Sequence, residues 1–560
     1  MRWPRTARKP RTSTPKRYTS PIGGWVANRN IAQPAAPGLP QAAAVLDNFF
    51  PYATTVIMRR GSELHATLGD STKPVRSLFK YVSGGNQRLF AATDNQIFDI
   101  TLVQSPYSWR IGTSSDDDIV TDDDDQLGEL STKGLDVLNN LKNGEWSVVQ
   151  FATSGGGIFL RGVNGEDTPF VYDGSDFSTE PALSMPDTET TVKPEDMVSV
   201  WAYKSRLFFV QRDSLNVWYL PVDQIAGELK KFPLGGIFGE GGSILFGASW
   251  SLDSGSSGGL SEQCIFVSSE GEVAVFQGAN PGDAQDWDKV GVYKIGRPLG
   301  RKATIRAGGD LIIATTTGFV PLSQAIQRDV AALAPATVSY PIEDAWNEAC
   351  LLRGNSGWHT MLWPERQMVL VVPPHLNGSS PVMFVANALT GKWCRFTGWT
   401  SNCMEVFQGQ LYFGSQEGEV IKANIGGSDK GNTYTAAYLP LFEDYGQPAF
   451  VKLAKLARFT IRAAARLNLT VKLHVEYDKE LPPAPNATAV TSTQEWGTAV
   501  WGESTWGAAA SSVLNNDWLS IGGGGYVVAP SCQVTSGFTV PLDAEIMSTD
   551  LTFEMTDVPA

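Results

Sequence analysis

Short apolar runs, each ended by a polar turn, recur along the chain from about residue 47 to residue 430. Glycine in such turns supplies the positive φ that tight hairpins need, so each unit predicts a strand, a turn and a second strand. The clearest runs are Leu89–Ala92, Ile158–Leu160, Phe170–Tyr172, Leu207–Val210, Val217–Leu220, Ile265–Val267, Leu311–Ala314, Met368–Val372, Met383–Val385 and Leu411–Phe413. This pattern predicts an all-β fold.

Two of these units are near copies of each other. The segments Ser268-Ser269-Glu270-Gly271-Glu272-Val273 and Ser415-Gln416-Glu417-Gly418-Glu419-Val420 lie 147 residues apart, which is three intervals of 49. That interval is close to the length of one four-stranded propeller blade. We therefore predict a degenerate β-propeller of about six or seven blades, an architecture that leaves only short sheet edges. A pair of β-sandwiches or an irregular β-barrel is the alternative.

The last part of the chain, residues 431–560, has a different pattern. Leu467, Leu469, Val471, Leu473, Val475 and Tyr477 alternate strictly with other residues, which predicts a half-buried strand. The preceding stretch, Val451–Leu467, is ambiguous, because Arg458, Arg462 and Arg466 have helical spacing. The predicted division is an extended arm over 1–46, a propeller over 47–430 and an additional C-terminal β domain over 431–560.

Charge separates the first of these parts from the rest. Residues 1–46 hold eight basic residues and no acidic ones, whereas residues 47–560 hold 36 basic and 58 acidic residues, a net charge of −22. The chain is therefore a basic arm on an acidic body. An acidic body argues against a protein that grips nucleic acid, which neutralises many phosphates. It would instead repel DNA and let it slide past.

Composition excludes several other classes of protein. Five dispersed cysteines without a CxxC predict reduced thiols rather than a disulfide framework. The sequence contains no run of 18 or more apolar residues, so no membrane-spanning helix is expected. The N-terminus is basic but lacks the apolar region of a secretory signal, and Pro4, Pro10 and Pro15 would break an amphipathic targeting helix.

Motifs for catalysis or cofactor binding are missing from the sequence. His65, His359, His375 and His474 show no metal-binding spacing. There is no GxSxG, no P-loop and no GxGxxG, and the glycine cluster over 235–242 predicts a loop between strands. We expect no catalytic residues, no resident metal and no cofactor.

Two motifs keep an alternative reading open. Seven carboxylates over ten positions suggest either a solvated loop or a weak cation site, and they are Asp116, Asp117, Asp118, Asp122, Asp123, Asp124 and Asp125. Ser251–Ser257 resembles the start of an Asp-box, the turn motif of sialidase-type propellers, but Gly258 stands where that motif has tryptophan. Glycan binding or hydrolysis therefore stays an alternative, although hydrolysis would need a facing pair of acids or a tyrosine nucleophile.

Tryptophan recurs with a period of five near the C-terminus, at Trp496, Trp501 and Trp506, each followed by glycine. Period five places successive side chains on opposite faces of a strand, so one strand would not present them together. A stacking platform for sugars or bases is one interpretation. Packing into subunit contacts is the interpretation we favour, because interfaces are enriched in aromatic residues.

Several stretches together resemble one family. They are Gly23-Gly24-Trp25, Leu46-Asp47-Asn48-Phe49-Phe50-Pro51, Arg59-Arg60-Gly61, Phe266–Val273, Val290–Arg301, Gly309-Asp310-Leu311 and Gly318–Ser323. The chain is similar over most of its length to the tail nozzle proteins of podovirus-type bacteriophages, also called tail tubular protein B or packaged-DNA stabilisation proteins. Their tryptophan-rich C-terminal segment often has Trp-Asp where this chain has Trp-Gly, which puts any role of that acid in doubt.

The resemblance implies a structural virion protein without enzymatic activity, made in the host bacterial cytoplasm. It implies a β-propeller with a platform-like β domain, and it favours strands over the ambiguous stretch Val451–Leu467. It also implies a homo-oligomer of six copies in a ring beneath the portal and its adaptor ring. The channel of that ring would retain the packaged genome and pass double-stranded DNA without sequence specificity during ejection. Tail fibres or spikes are further expected partners. The candidate contact residues are Arg2, Arg5, Arg8, Lys9, Arg11, Lys16, Arg17, Trp496, Trp501 and Trp506, and we expect the basic ones to meet acidic protein surface rather than DNA.

Overall fold

A computed structural model describes residues 14–28, 40–101, 135–252, 261–307, 309–376, 378–490 and 512–556. Strands dominate, and the two α-helices are Leu322–Gln327 (α1) and Glu343–Arg353 (α2) among the residues described. Short 3-10 helices cover Pro194–Asp196, Val330–Ala332, Ala334–Ala336, Tyr340–Ile342 and Pro364–Arg366.

Strands are numbered in chain order. The first strands are Thr14–Thr19 (β1), Ala43–Asp47 (β2), Phe49–Pro51 (β3), Val56–Met58 (β4), Ser62–Thr67 (β5), Ser77–Ser83 (β6), Asn86–Ala92 (β7), Gln96–Asp99 (β8) and Leu135–Asn139 (β9). There follow Ser147–Ala152 (β10), Ile158–Val163 (β11), Phe170–Tyr172 (β12), Phe177–Ser178 (β13), Leu183–Ser184 (β14), Met197–Tyr203 (β15), Arg206–Gln211 (β16), Asn216–Tyr219 (β17), Gly227–Glu228 (β18) and Lys230–Pro233 (β19).

The middle strands are Ile244–Leu252 (β20), Ser261–Ser268 (β21), Glu272–Gly278 (β22), Trp287–Lys294 (β23), Thr304–Ala307 (β24), Asp310–Thr315 (β25), Gly318–Pro321 (β26), His359–Trp363 (β27), Met368–Val372 (β28), Val382–Asn387 (β29) and Trp393–Thr397 (β30). The last are Cys403–Phe407 (β31), Gln410–Gly414 (β32), Glu419–Ala423 (β33), Tyr434–Pro440 (β34), Val451–Ala463 (β35), Leu469–Val475 (β36), Val513–Asn515 (β37), Trp518–Gly525 (β38), Val528–Ser536 (β39) and Glu545–Thr556 (β40).

Six separate sheets in the described part of the chain are blades of a β-propeller. In order they are β6–β9, β10–β13, β15–β17 with β19, β20–β23, β24–β26, and β31–β33 with β5. One further blade position lies between the fifth and sixth of these sheets along the chain. It is filled by β27–β30, which belong to a larger sheet, and we call these four strands the seventh blade. Neighbouring sheets contact one another in chain order, and β31 of the last contacts β6 of the first. The predicted propeller fold is therefore confirmed.

Strand β5 closes the ring. It comes from before the first blade, yet it pairs with β33 as the outer strand of the last blade. The two ends of the propeller are thus joined by a sheet rather than by a loop, so opening the ring would break this ladder of hydrogen bonds.

The near-copy segments are equivalent turns of two blades. Ser268–Val273 joins the second and third strands of the β20–β23 sheet, and Ser415–Val420 joins the second and third strands of the last blade. Gly271 (φ 87°) and Gly418 (φ 67°) both have the positive φ that favours glycine. Three blade positions separate the two turns, as the spacing of three intervals predicts.

Outside the propeller, two larger sheets combine strands from both ends of the chain. One has eight strands in the order β27-β28-β29-β30-β2-β34-β39-β36, so the seventh blade continues into it. The other has seven strands, with β40 at its centre between β35 on one side and β1 and β4 on the other. Their facing sides share one apolar core with the seventh blade.

The structure therefore divides the chain differently from the prediction. The first propeller strand is β5, and β2–β4 lie in the two large sheets rather than in the propeller. Part of the predicted extended arm, Ala43–Leu46, is fully buried, because this apolar run pairs with β34. The ambiguous stretch before residue 467 contains the 13-residue strand β35 rather than a helix.

The apolar cores lie between blades. In one of them Trp201, Phe208, Phe266, Phe276 and Trp287 from the third and fourth blades pack together, with Phe276 stacked on Trp287 at 5.5 Å between ring centres. Burying rings of this size dominates the stability of such interfaces. No helix in the described part of the chain is both long and apolar enough to cross a bilayer.

Candidate functional site

The predicted partner-contact residues fall partly within the structure. Lys16 and Arg17 lie on β1, where Lys16 pairs with Glu443 at 2.8 Å and Arg17 Nε donates to Asp550 Oδ1 at 2.7 Å. Both carboxylates belong to the C-terminal sheets of the same chain. The remaining candidates lie outside the described residues, and they are Arg2, Arg5, Arg8, Lys9, Arg11, Trp496, Trp501 and Trp506.

The candidate cation loop over Asp116–Asp125 also lies outside the described residues, as does Asp253 of the Asp-box-like segment. Among the residues that the structure does describe, no three histidine, cysteine or acidic side chains gather as a metal site would require. All five cysteines are free and buried.

A row of four side chains crosses the outer face of the seven-stranded sheet. Arg17 on β1, Asp550 on β40, Arg458 on β35 and Trp518 on β38 are successive partners in the strand pairing. Asp550 Oδ2 also accepts from Arg458 Nη2 at 2.6 Å, and the Arg458 guanidinium lies 4.8 Å from the centre of the Trp518 ring. One carboxylate thus joins two arginines, and the second arginine stacks on an exposed indole.

Basic side chains stand above acidic ones on this face. The Arg17 side chain is 64% exposed and its partner Asp550 only 8%, while Arg462 is 53% exposed and its partner Glu545 13%. Lys455 pairs in the same manner with Glu554, and Arg466 pairs with Asp517, which is itself exposed. We call this surface the arginine face and define it by Arg17, Lys455, Arg458, Arg462, Arg466 and Trp518.

The charges of the row change the titration of Asp550. Burial acts to raise the pKa of this carboxyl, but the hydrogen bonds and positive charges of Arg17 and Arg458 outweigh burial and lower the pKa below its usual value. Asp550 therefore carries its charge at neutral pH and holds β1 against β40.

A buried arginine joins the propeller to the large sheets. The Arg59 guanidinium donates to both carboxylate oxygens of Asp429, at 2.7 and 3.0 Å, and to Asn48 Oδ1 at 2.8 Å. It lies 4.1 Å from the centre of the Tyr434 ring, and the Tyr434 hydroxyl donates to the Arg59 carbonyl. Asn48, at φ 56°, also donates to Thr435 O. We call these residues the Arg59 junction.

A second arginine–carboxylate pair, between Arg395 and the motif residue Asp47, also joins distant parts of the chain. Arg395 on β30 makes a bidentate ion pair with Asp47 on β2, at 2.6 and 2.7 Å, and its guanidinium lies 5.5 Å from the centre of the Trp25 ring. This pair stands where the seventh blade passes into the C-terminal part of the eight-stranded sheet. Arg59 and Arg395 therefore both bind segments distant in sequence.

Polar side chains from several blades contact one another near the first strands of those blades. Lys302 precedes the fifth blade, yet its Nζ lies 2.8 Å from Ser77 Oγ at the start of the first blade, so the side chain reaches across the ring. Near it, Lys80 and Glu405 form an ion pair at 3.1 Å, and His359 Nδ1 accepts from the Met404 amide at 3.0 Å. Burial, reinforced by the charge of Lys302, lowers the pKa of His359 to about 3, so this histidine is neutral.

A depression of about 220 Å³ lies where β20, β24 and β25 meet, lined by Ser249, Trp250, Ser251, Glu262, Arg306 and Asp310 among others. Asp310 accepts from Trp250 Nε1 at 3.1 Å and from the Ser323 hydroxyl at 2.5 Å, and Arg306 donates to Ser249. The motif residue Asp310 thus ties β20 to the start of α1. Polar and apolar groups line the depression, which is partly open to solvent.

The glycine cluster over 235–242 is a loop between β19 and β20, as predicted. Glu272, buried at the base of that loop, accepts from the backbone amides of Gly239 at 3.2 Å and Glu240 at 2.9 Å. The second glutamate of the Ser-Ser-Glu-Gly-Glu-Val segment therefore holds a loop in place.

Sequence reasoning missed the arginine face and the partners of Arg59. The spacing of Arg458, Arg462 and Arg466 was visible, but it indicates a helix when taken alone. Their acidic partners lie 83 or more residues away for Arg458 and Arg462, and only the strand pairing brings them together.

No family model and no curated protein matches the chain. Among solved structures, one match is the crystal structure of BBS1N in complex with ARL6DN, at 10% identity and a TM-score of 0.35, covering 66% of this chain and 97% of that one.

Proposed function

We propose that this chain is the structural subunit of a short bacteriophage tail nozzle. Copies would assemble into a ring, most simply a hexamer, below the head-to-tail adaptor, and the ring would retain the packaged genome and conduct it during ejection. No catalysis and no cofactor belong to this proposal. Its basis is the sequence resemblance over residues 23–61 and 266–323.

The observation that carries the proposal is the position of the resembling residues. Asp47, Asn48 and Arg59 hold the junction between the propeller and the large sheets, while Glu272 and Asp310 each fix a loop or a helix start. These motif residues hold segments of the backbone in place. Such a role suits a protein selected for a rigid shape.

Contacts inside the propeller bear on where DNA would pass in the proposed ring. Lys302 contacts Ser77 and Lys80 contacts Glu405, so side chains from different blades meet one another. We therefore place the proposed channel in the space enclosed by several copies rather than inside one propeller. A net charge of −14 favours a wall that repels the phosphate backbone and lets DNA slide.

Imaging of the virion tests the proposal. Single-particle reconstruction of the tail under six-fold symmetry should place this chain in a closed ring around an axial channel with an acidic wall. A position at the tail periphery, as a separate spike or fibre, would refute the nozzle assignment.

A glycan-binding or glycan-degrading propeller of the phage tail is the second candidate. The depression lined by Trp250, Glu262, Arg306 and Asp310 favours it, because carboxylates, a guanidinium and hydroxyls together match the polar groups of a sugar. Sugar released from host polysaccharide by the purified protein, and lost in the Glu262→Gln variant, would support this candidate. No binding and no release would leave the nozzle proposal as the better one.

A further inference from the structure

Exposed apolar side chains accompany the charges of the arginine face. Leu456, Leu514 and Trp518 on the strands of the seven-stranded sheet are 40%, 52% and 42% exposed. A surface that combines arginine, tryptophan and exposed aliphatic side chains has the composition of a protein interface, where arginine and tryptophan contribute most of the binding energy.

Helix α2 presents a surface of complementary chemistry. One side of the helix is buried through Trp346, Ala349 and Cys350. The other side exposes Glu348, Leu351 and Leu352, and the two leucines are 86% and 60% exposed. Positions 348, 351 and 352 are neighbours on a helix surface, so an acid and two leucines form one stripe. We call it the leucine stripe.

We propose that the leucine stripe of one copy docks on the arginine face of the next copy. Leu351 and Leu352 would contact Trp518 and Leu456, and Glu348 would meet the exposed guanidinium group of Arg462. The two surfaces differ, so the contact is heterologous, and such contacts close into rings when the rotation between copies permits. This inference rests on the proposed ring and names the surfaces that form it.

Charge complementarity favours a copy of this chain over DNA as the occupant. Arg17 and Arg458 share Asp550. Each of the other basic side chains of the face pairs with a carboxylate of its own. The face therefore has little net positive charge with which to neutralise successive phosphates. Its outward guanidinium groups nevertheless suit a few acids on an otherwise acidic body.

Cysteine cross-linking tests the contact in the full-length protein. The variant with Asn347→Cys and Ser520→Cys should give a ladder of covalent oligomers with a short bifunctional maleimide. Asn347 lies one helical turn before Leu351, and Ser520 is the strand partner of Leu456, so the proposed contact residues stay in place. A mixture of the two single variants should stop at covalent dimers. Both positions are exposed, and the five native cysteines are buried, so the fold and the background reaction should be unaffected. Leu389→Cys with Ser520→Cys is the control, since Leu389 is 70% exposed.

Charge reversal provides the second measurement. Glu348→Arg in the double-cysteine background should lower the yield of the ladder about tenfold. Glu228→Arg, which reverses an exposed acid on β18, should leave the yield unchanged.

The results separate this inference from the nozzle proposal. Oligomers detected by sedimentation without the specific cross-link would overturn the docking contact and leave the nozzle standing. No oligomer and no cross-link at any protein concentration would also overturn the contact, while the position of the chain in the virion decides the nozzle separately. Duplex DNA bound by the wild type and lost in Arg462→Glu would assign the face to nucleic acid instead.

Discussion

The propeller and the pair of large sheets are built on opposite principles. Almost every blade consists of consecutive strands, and apolar rings such as Phe208, Phe266 and Trp287 pack between neighbouring blades. The large sheets instead combine β1–β4 with β34–β40 across several hundred residues, and ion pairs such as Arg17–Asp550 and Arg59–Asp429 join the distant segments.

This difference predicts two kinds of response to perturbation. Interfaces made by apolar burial respond to changes of volume and little to salt. Interfaces made by paired charges respond to the loss of one partner, to pH and, where they are exposed, to ionic strength. Substitutions in the two regions can therefore separate the two principles.

The largest effect is expected at the Arg59 junction. Arg59→Ala removes the partner of Asp429 and leaves a buried carboxylate without its cation, which should lower the free energy of unfolding by about 3–5 kcal/mol. The loss should appear as an early transition of the large sheets in chemical denaturation followed by tryptophan fluorescence.

Arg60→Ala is the matched control for that experiment. Arg60 pairs with Asp543 in an ion pair in which both side chains are more than 40% exposed, so its loss should cost less than about 1 kcal/mol. Equal effects of the two substitutions would contradict the assignment of the junction to Arg59.

The next largest effect is a pH dependence inside the propeller. The folded-state pKa of His359 is about 3, whereas an unfolded histidine titrates near about 6.5. Between these values the unfolded chain binds a proton that the folded chain does not, so stability is complete above about pH 6.5 and falls as the pH drops. At pH 4 the loss should be about 3 kcal/mol, from 1.36 kcal/mol for each pH unit.

His359→Gln should flatten this dependence, because glutamine can accept from the Met404 amide without titrating. Denaturant unfolding at pH 7 and pH 4 measures the difference. His375→Gln, at an exposed position, should preserve the slope of the wild type. A wild type equally stable at both pH values would rule out His359 as the source.

The same difference between the propeller and the large sheets explains which features could be predicted from the sequence. Blade strands were predictable because runs such as Ile265–Val267 and turns such as Glu270-Gly271 carry local signals, and the spacing of the two near copies matches three blade positions. The boundary at residue 47 was misplaced because nothing local shows that Ala43–Asp47 pairs with β34, almost 400 residues away. The acidic partners of Arg17, Arg59 and Arg458 are hidden for the same reason.

A smaller effect tests the equivalence of the two repeated turns. Ser268 Oγ accepts from the Glu272 amide at 3.0 Å, whereas Ser415 Oγ accepts from the Glu417 amide at 3.1 Å and from the Glu419 amide at 3.2 Å. Each serine is buried, so Ser268→Ala should cost about 1 kcal/mol and Ser415→Ala about 1–2 kcal/mol, from the usual contribution of each hydrogen bond. Thermal or denaturant unfolding of the two variants measures these losses. A loss confined to one of them would show that the turns differ in function despite their common geometry.

The smallest effect is expected where β1 joins the arginine face. Arg17→Ala removes an exposed partner of Asp550, while Arg458 still pairs with that carboxylate, so the protein should stay folded. Hydrogen exchange should nevertheless speed up for the amides of β1, because one of its two ion pairs to the C-terminal sheets is gone.

Wild-type β1 should show the same acceleration below about pH 4, since the pKa of Asp550 is depressed and the stability from this pair is lost as that carboxyl protonates. High salt should act in the same direction at neutral pH, whereas the exchange of β21 and β22, buried between blades, should not respond. Exchange in β1 that is indifferent to the substitution, to acid and to salt would mean that the backbone ladder with β40 alone holds this strand.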